Sequence, residues 1–256
     1  MARRGREPDW KRWLERWDQQ QESFNPDRER RFEAMFDVLD AWLPDRFTAI
    51  DLGCGPGSLS QRLLRRFSKA HVIAVDYDPV VLRLGRESLA SLRPRMTWVD
   101  ANIGRQGWTK HLPVRRVDAA VSTTALHWLR PEALRRLYRD LGLLIRRGGV
   151  FLNGDILPWD SDRRTLQRLG DKVRATRFGG KSLQSEWGPW RAWWSAIEKV
   201  PALRAEFEER RARSSEHPPD WPSSLSVHSR ALQHAGFREI EVVWQDFENR
   251  VLLGVR

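Results

Sequence analysis

Apolar positions change their spacing along this chain, and each change marks a new element. Between residues 9 and 43 they fall at helical intervals. Trp10, Trp13 and Trp17 recur at i, i+3 and i+7, and Phe32, Met35, Phe36 and Leu39 form a second stripe after a break at Asn25-Pro26. From residue 47 short apolar runs alternate with helical faces. Phe47 to Asp51, His71 to Asp76, Met96 to Asp100, Val117 to Ser122 and the run beginning at Val150 to Leu152 read as five strands. The intervening helices carry Leu59, Leu63, Leu64 and Phe67, then a segment opened by Pro79, then one opened by Pro131 and ending at Gly148-Gly149. Near-continuous apolar strands alternating with helices predict a parallel sheet covered on both faces.

The alternation stops at residue 156. Residues 156 to 224 carry helical patterns, tryptophans at 187, 190, 193 and 194, and a Pro-rich exit at His217 to Pro222. Beyond them a helix is expected from Ser229 to Ala235, closed by Gly236. Two strands follow, Glu239 to Gln245 and Arg250 to Val255, joined by so short a link that they must be antiparallel. The expected fold is α/β: a Rossmann-like seven-stranded sheet, mostly parallel, with an antiparallel C-terminal hairpin and an α-helical lid inserted before it. Residues 1–44 would be N-terminal helices, 45–155 and 225–256 the core, and 156–224 a helical insertion.

Composition narrows the classes. The chain has 256 residues, 40% hydrophobic and 31% charged, with a mean hydropathy of −0.63 and no apolar run of membrane-spanning length. The N-terminal stretch is basic without an apolar core, so a secretory signal is not expected, and a single cysteine, Cys54, excludes a disulfide framework. A cytoplasmic location is the expectation. The net charge of +11 raises the possibility of a nucleic-acid partner. However, only six of the 45 basic residues are lysines, and the arginines lie in every segment, often beside acids, as solvated helix faces do. The expected partner is a small molecule. No membrane or metal partner is indicated, since the six histidines show no ligand spacing. Oligomeric state is not legible.

The chemistry concentrates in Ala49-Ile50-Asp51-Leu52-Gly53-Cys54-Gly55-Pro56-Gly57. A strand running into three closely spaced glycines lets backbone approach a ligand where a side chain would collide. Asp76 ends the next strand, where a carboxylate can accept hydrogen bonds from a ribose diol. A nicotinamide dinucleotide normally goes with G-x-G-x-x-G; here the spacing is G-x-G-x-G, with an acid two residues before the first glycine.

This string resembles motif I of the class I S-adenosylmethionine (SAM) methyltransferases. Val75-Asp76-Tyr77-Asp78-Pro79 resembles their ribose-binding strand end, and Asp100-Ala101 the step that contacts the adenine amine. Leu144 to Val150 is similar to the family's L-x-P-G-G turn, with Arg147 in place of proline. Ser122-Thr123-Thr124-Ala125-Leu126-His127-Trp128 resembles a segment of small-molecule methyltransferases, including enzymes that methylate carboxylates such as trans-aconitate, while the amino-methyltransferase signature N/D-P-P-Y/F is absent. Residues 226–253 also resemble the end of the carboxy-SAM synthases linked to tRNA modification.

The resemblance implies SAM as cofactor and S-adenosylhomocysteine as product. It would make residues 1–44 a cover for the cofactor site and residues 156–224 a lid that binds the acceptor. It implies cofactor contacts at Asp51, Gly53, Cys54, Gly55, Gly57, Asp76, Tyr77, Asp100, Ala101, Ser122 and Thr123. His127, then His228, are the candidate proton acceptors, and Trp128, Trp187 and Trp190 the candidate acceptor-pocket walls. Methyl transfer to a carboxylate or hydroxyl oxygen of a small acceptor is the expected reaction. An RNA-modification-related SAM enzyme, a nicotinamide oxidoreductase and a non-catalytic SAM-binding protein are the alternatives.

Overall fold

In a computed structural model, residues 7–25, 27–177, 187–213 and 223–256 are described. The Pro-rich stretch at His217 to Pro222, Pro26 of the predicted break, and the basic residues 1–6 lie outside them. Helices α1 (Trp10–Phe24) and α2 (Arg28–Trp42) precede β1 (Thr48–Leu52), α3 (Ser58–Arg66), β2 (His71–Asp76), α4 (Pro79–Ser88), β3 (Met96–Asp100) and β4 (Val117–Thr123). Then come α5 (Pro131–Leu144), β5 (Ile145–Ile156), α6 (Arg164–Arg177), α7 (Gly188–Ile197), α8 (Arg204–Ala212), α9 (Leu225–His234), β6 (Glu239–Asp246) and β7 (Asn249–Val255).

Seven strands form one sheet in the order β3-β2-β1-β4-β5-β7-β6. The first five are parallel, and β7 lies antiparallel to both β5 and β6. The order reverses between the neighbouring strands β1 and β4, from which successive strands add outward in opposite directions, and this opens a crevice at their carboxyl ends. Successive strand residues face opposite layers. Ala49, Ala74, Val121 and Leu152 pack under α2 and α3, whereas Ile50, Val75, Ala120 and Phe151 pack over α5 and α9. A third cluster joins α1, α4, α7 and α8 through Trp10, Leu84, Trp193 and Phe207. In it Trp193 sits edge-on to Trp17 at 4.8 Å between ring centroids, which ties the insertion to the first helix.

Two predicted boundaries move. The glycines expected to close α5 lie inside β5, because α5 ends at Leu144 and the strand starts at once. A register shift between Val117 and Ala119 absorbs the extra residues, and a Cβ on Gly149 would come 2.5 Å from the carbonyl oxygen of Asp118. The last helix begins at Leu225, four residues earlier than the periodicity placed it, with Ser224 as its N-cap in extended backbone.

Candidate active site

The glycine turn sets the floor of the crevice. Gly53, Gly55 and Gly57 all have positive φ (67°, 55° and 87°), a region that side chains strain to adopt. Their reasons differ. A Cβ on Gly53 would lie 2.5 Å from Cβ of Ala125, in the loop after β4, and one on Gly57 would collide with Trp98 and Met96, so these two permit packing. A Cβ on Gly55 would meet only the indole of Trp17, at 3.5 Å, so here the bare backbone lies under α1.

Asp76 braces the turn from the neighbouring strand. Its Oδ2 accepts the Gly55 N–H at 2.8 Å, and Oδ1 accepts the N–H groups of Tyr77 (2.7 Å) and Asp78 (3.0 Å). Three of a carboxylate's roughly four lone-pair sites are thereby taken, which leaves room for a further donor. Burial pushes its pKa up to about 6, against the pull of those backbone donors. Asp51 is fully enclosed, accepts Ser60 Oγ–H at 2.6 Å, and is pushed up to about 7 by burial. The Cys54 thiol is likewise buried and pushed up, the opposite of a reactive thiolate.

A cavity of about 570 Å³ opens from this floor. Gly53, Cys54, Gly55 and Thr123 line its base, and Trp17, Asn25 and Arg28 come from the N-terminal helices. Trp128, Trp187, Trp190 and Phe247 supply aromatic walls, with Trp128 and Trp187 edge to face at 6.4 Å and Trp187 and Trp190 at 5.6 Å.

His127 faces this cavity from the short turn after β4. Its Nδ1 lies 2.7 Å from Oδ1 of Asp155, which is fully buried near the end of β5, and its backbone N–H reaches Oδ2 at 3.2 Å. Ile156 N–H also donates to Oδ1, at 2.9 Å. Burial works to raise the Asp155 pKa, but His127, the nearby Arg31 and the Ile156 N–H together hold it below the usual carboxylate value. An ionised Asp155 accepts the hydrogen bond of Nδ1–H, which keeps the proton on Nδ1 and leaves Nε2 as the acceptor nitrogen of the ring.

Arg31 completes the charge balance from α2. It is fully buried, its guanidinium has no hydrogen-bond partner among the described residues, and burial pulls its pKa down to about 10 while the charge of Asp155 opposes that fall. Neither Asp155 nor Arg31 figured among the expected site residues. Each had a signal: an acid closing the Val150-Phe151-Leu152 strand, and an arginine in the register of the Phe32 and Met35 stripe.

Other expected residues lie outside the cavity wall. Ser122 is buried and donates to the Leu52 carbonyl at 2.8 Å, which ties β4 to β1. Ala101 donates its N–H to Asp76 O at 2.9 Å. Asp100 and Tyr77 meet the insertion: Arg213 pairs with both Asp100 oxygens, at 2.8 and 2.6 Å, and also donates to the Tyr77 carbonyl, while Arg210 pairs with Asp78 at 2.6 Å. His228 corrects an expectation. It is buried between α5 and α9, shares a 2.6 Å hydrogen bond with Tyr138, and is pulled down to about 4 by burial, so it is neutral and does not line the cavity. Among the described residues no group of three or more His, Cys, Asp or Glu is placed to hold a metal ion, and no helix is long and apolar enough to cross a membrane.

A glycine turn after the first of seven strands, an acid closing the second, and an antiparallel last pair define the class I SAM-dependent methyltransferase fold. Residues 49–149, less than half of the chain, match the family described as a methyltransferase domain. A trans-aconitate 2-methyltransferase from Azoarcus sp. is 33% identical over 165 residues, which is 64% of this chain and 60% of that protein. The chain thus spans well under the full length of that relative. An O-methyltransferase family protein from Burkholderia thailandensis shares the fold (TM-score 0.55, 17% identity, 88% of this chain and 55% of that one). So does human N-acetylserotonin methyltransferase, solved in complex with SAM (TM-score 0.51, 16% identity, 86% and 50%).

Proposed function

We propose that this protein transfers the SAM methyl group to a hydroxyl oxygen of a small, partly apolar acceptor, with His127 as proton acceptor and Asp155 as the residue that positions it. The observation that carries this reading is the 2.7 Å contact of His127 Nδ1 with a buried carboxylate, at the wall of an aromatic-lined cavity that also reaches the glycine turn. A carboxylate acceptor is already an anion and needs no base; a hydroxyl does. The cleft arginines point the same way, because Arg28, Arg174 and Arg177 are each paired already, with Asp18, Glu248 and Asp246.

Gly53 to Gly55 would lie along the methionine and ribose parts of the cofactor, with Asp76 at the ribose hydroxyls; Asp100 would reach the adenine amine only with Arg213 drawn off it. The N-terminal helices would cover this end through Trp17. When bound, SAM supplies an electrophilic methyl whose bond to sulfur breaks with its electrons going to the sulfur as the new oxygen–carbon bond forms. The chain's own residues orient the acceptor against Trp128, Trp187 and Trp190, exclude water, and take the hydroxyl proton on His127 Nε2. Asp155 keeps Nδ1 protonated throughout, and Arg31 helps it to stay ionised.

The test is methyl transfer from tritiated SAM to a panel of phenolic, alcoholic and carboxylic acceptors, with calorimetric SAM titration beside it. SAM binding with turnover on hydroxyls, lowered about 10²- to 10⁴-fold in His127→Ala with SAM affinity kept, is the expected result. Absence of SAM binding, or an unaltered rate in the variant, would overturn the reading.

A further inference from the structure

Beside α6 the cleft is lined by the β6–β7 turn, Phe247 and Glu248, and Glu248 is not accounted for by methyl transfer. Its backbone carbonyl accepts Leu157 N–H at 2.8 Å, which anchors it beside the end of β5 just past Asp155. The side chain lines the cavity and is 4% exposed. One oxygen, Oε2, lies 2.9 Å from Nη2 of Arg174; the other, Oε1, is buried with no partner among the described residues. Two further oxygens of cavity-lining residues are also buried without partners among the described residues, Asn249 Oδ1 beside it and Thr123 Oγ1 at the base. A buried acceptor left unpaired is costly, so a cavity with three of them matches a ligand that brings donors.

Resting on the reading that this cleft holds a hydroxyl acceptor, we propose that Glu248 is its specificity-determining residue. The substrate carries, besides the hydroxyl that reacts at His127, a second hydrogen-bond donor that Glu248 Oε1 receives: another hydroxyl or a protonated amine. A carboxylate facing Oε1 would bring it no donor, since Arg174 is paired with the other oxygen, Oε2. The acceptor class is therefore a hydroxylated apolar or aromatic compound with a second O–H or N–H group, and not a polycarboxylate.

The experiment compares catechol and tyramine, which carry the second donor as hydroxyl and as ammonium, with phenol, which lacks it, and with 4-hydroxybenzoate, which replaces it with a carboxylate. Wild type is expected to show kcat/KM at least about tenfold higher for catechol or tyramine than for phenol, and lowest for 4-hydroxybenzoate, as loss of one hydrogen bond to a charged group implies. Glu248→Gln is expected to raise KM for the favoured donor about tenfold or more, leave kcat within about threefold, and narrow the gap to phenol.

Arg174→Gln breaks the same ion pair from its other end while leaving Oε1 in place, so it is expected to keep the donor preference. If Arg174→Gln erases that preference as Glu248→Gln does, Glu248 is only a brace for α6 and the proposal fails. It fails equally if phenol or 4-hydroxybenzoate is the better substrate. A protein that binds SAM and methylates hydroxyls without these differences refutes this inference alone, whereas one that does not bind SAM refutes the function on which it rests.

Discussion

Replacing Asp155 with asparagine tests the pairing on which the proposed chemistry depends. In the native protein both Asp155 oxygens accept: Oδ1 from the His127 ring and Ile156 N–H, and Oδ2 from His127 N–H. An asparagine amide has only one accepting oxygen. Its NH2 group must face either the His127 backbone N–H or the ring and Ile156, a donor set against a donor. The mismatch in a fully buried place costs about 1–3 kcal/mol, roughly 2 to 12 °C in Tm for a chain of this size. If the amide turns its NH2 to the ring, Nδ1 becomes the accepting nitrogen and the proton moves to Nε2, which can then take nothing from the acceptor. Turnover is expected to fall about 10²- to 10⁴-fold, roughly 3–5 kcal/mol of barrier. The assay is single-turnover methyl transfer at saturating acceptor, with SAM affinity measured by calorimetry on the same preparation. Affinity for SAM should stay within about threefold, because Asp155 makes no contact with the glycine turn. A variant that turns over at the wild-type rate, or one that loses SAM affinity as steeply as rate, would refute the positioning role.

Four further outcomes follow from the same geometry. Asp51 and Asp76 titrate higher in the folded protein than the ordinary 3.8, at about 7 and about 6, so the native state holds these protons longer than the unfolded chain; their contribution is fully present below pH 4 and is lost as pH rises through 6 to 7. Urea midpoints should therefore decline from about pH 4 to pH 7 in the free protein and level off above it, and Asp51→Asn, which still accepts Ser60 Oγ–H, should flatten the decline by removing a term of up to about 4 kcal/mol. With SAM held as proposed, its ribose hydroxyls donating to ionised Asp76, calorimetric affinity should weaken as pH falls below about 6, and Asp76→Ala should lower it at least about tenfold at pH 8. Gly53→Ala forces a Cβ to within 2.5 Å of Ala125 at φ 67°, so it should shift the glycine turn and abolish SAM binding while far-UV circular dichroism stays native. Trp193→Ala removes a side chain packed edge-on against Trp13, Trp17 and Trp194; a loss of about 3–5 kcal/mol should appear as faster hydrogen exchange in α1 and α7, with the sheet unaffected.

Strand and helix periods made most of the architecture readable without coordinates. Runs such as Val72-Ile73-Ala74-Val75 can lie only in a sheet covered on both faces, and the four-residue link between Gln245 and Arg250 leaves no pairing except antiparallel. Local chemistry likewise announced the glycine turn and the acid closing β2, because glycine spacing and an acid at a strand end are visible in short stretches of chain, although their partners, Ala125 for Gly53 and Gly55 for Asp76, are distant. His127 was legible as a candidate from its place after β4. Its partner was not: Asp155 lies 28 residues further on, and an acid at a strand end could equally have been a solvated terminus.

What the tertiary structure decided was which polar groups share a cavity and which are sealed from it. Only the α2 packing brings Arg31 to the charge of Asp155, only the α5–α9 contact encloses His228 against Tyr138, and only the docking of the insertion sets Arg213 on Asp100 and Arg174 on Glu248. Periodicity specifies the face of an element that is buried. It is silent on which distant residue meets that face, and the charge, hydrogen bonding and water exclusion of a site depend on that meeting.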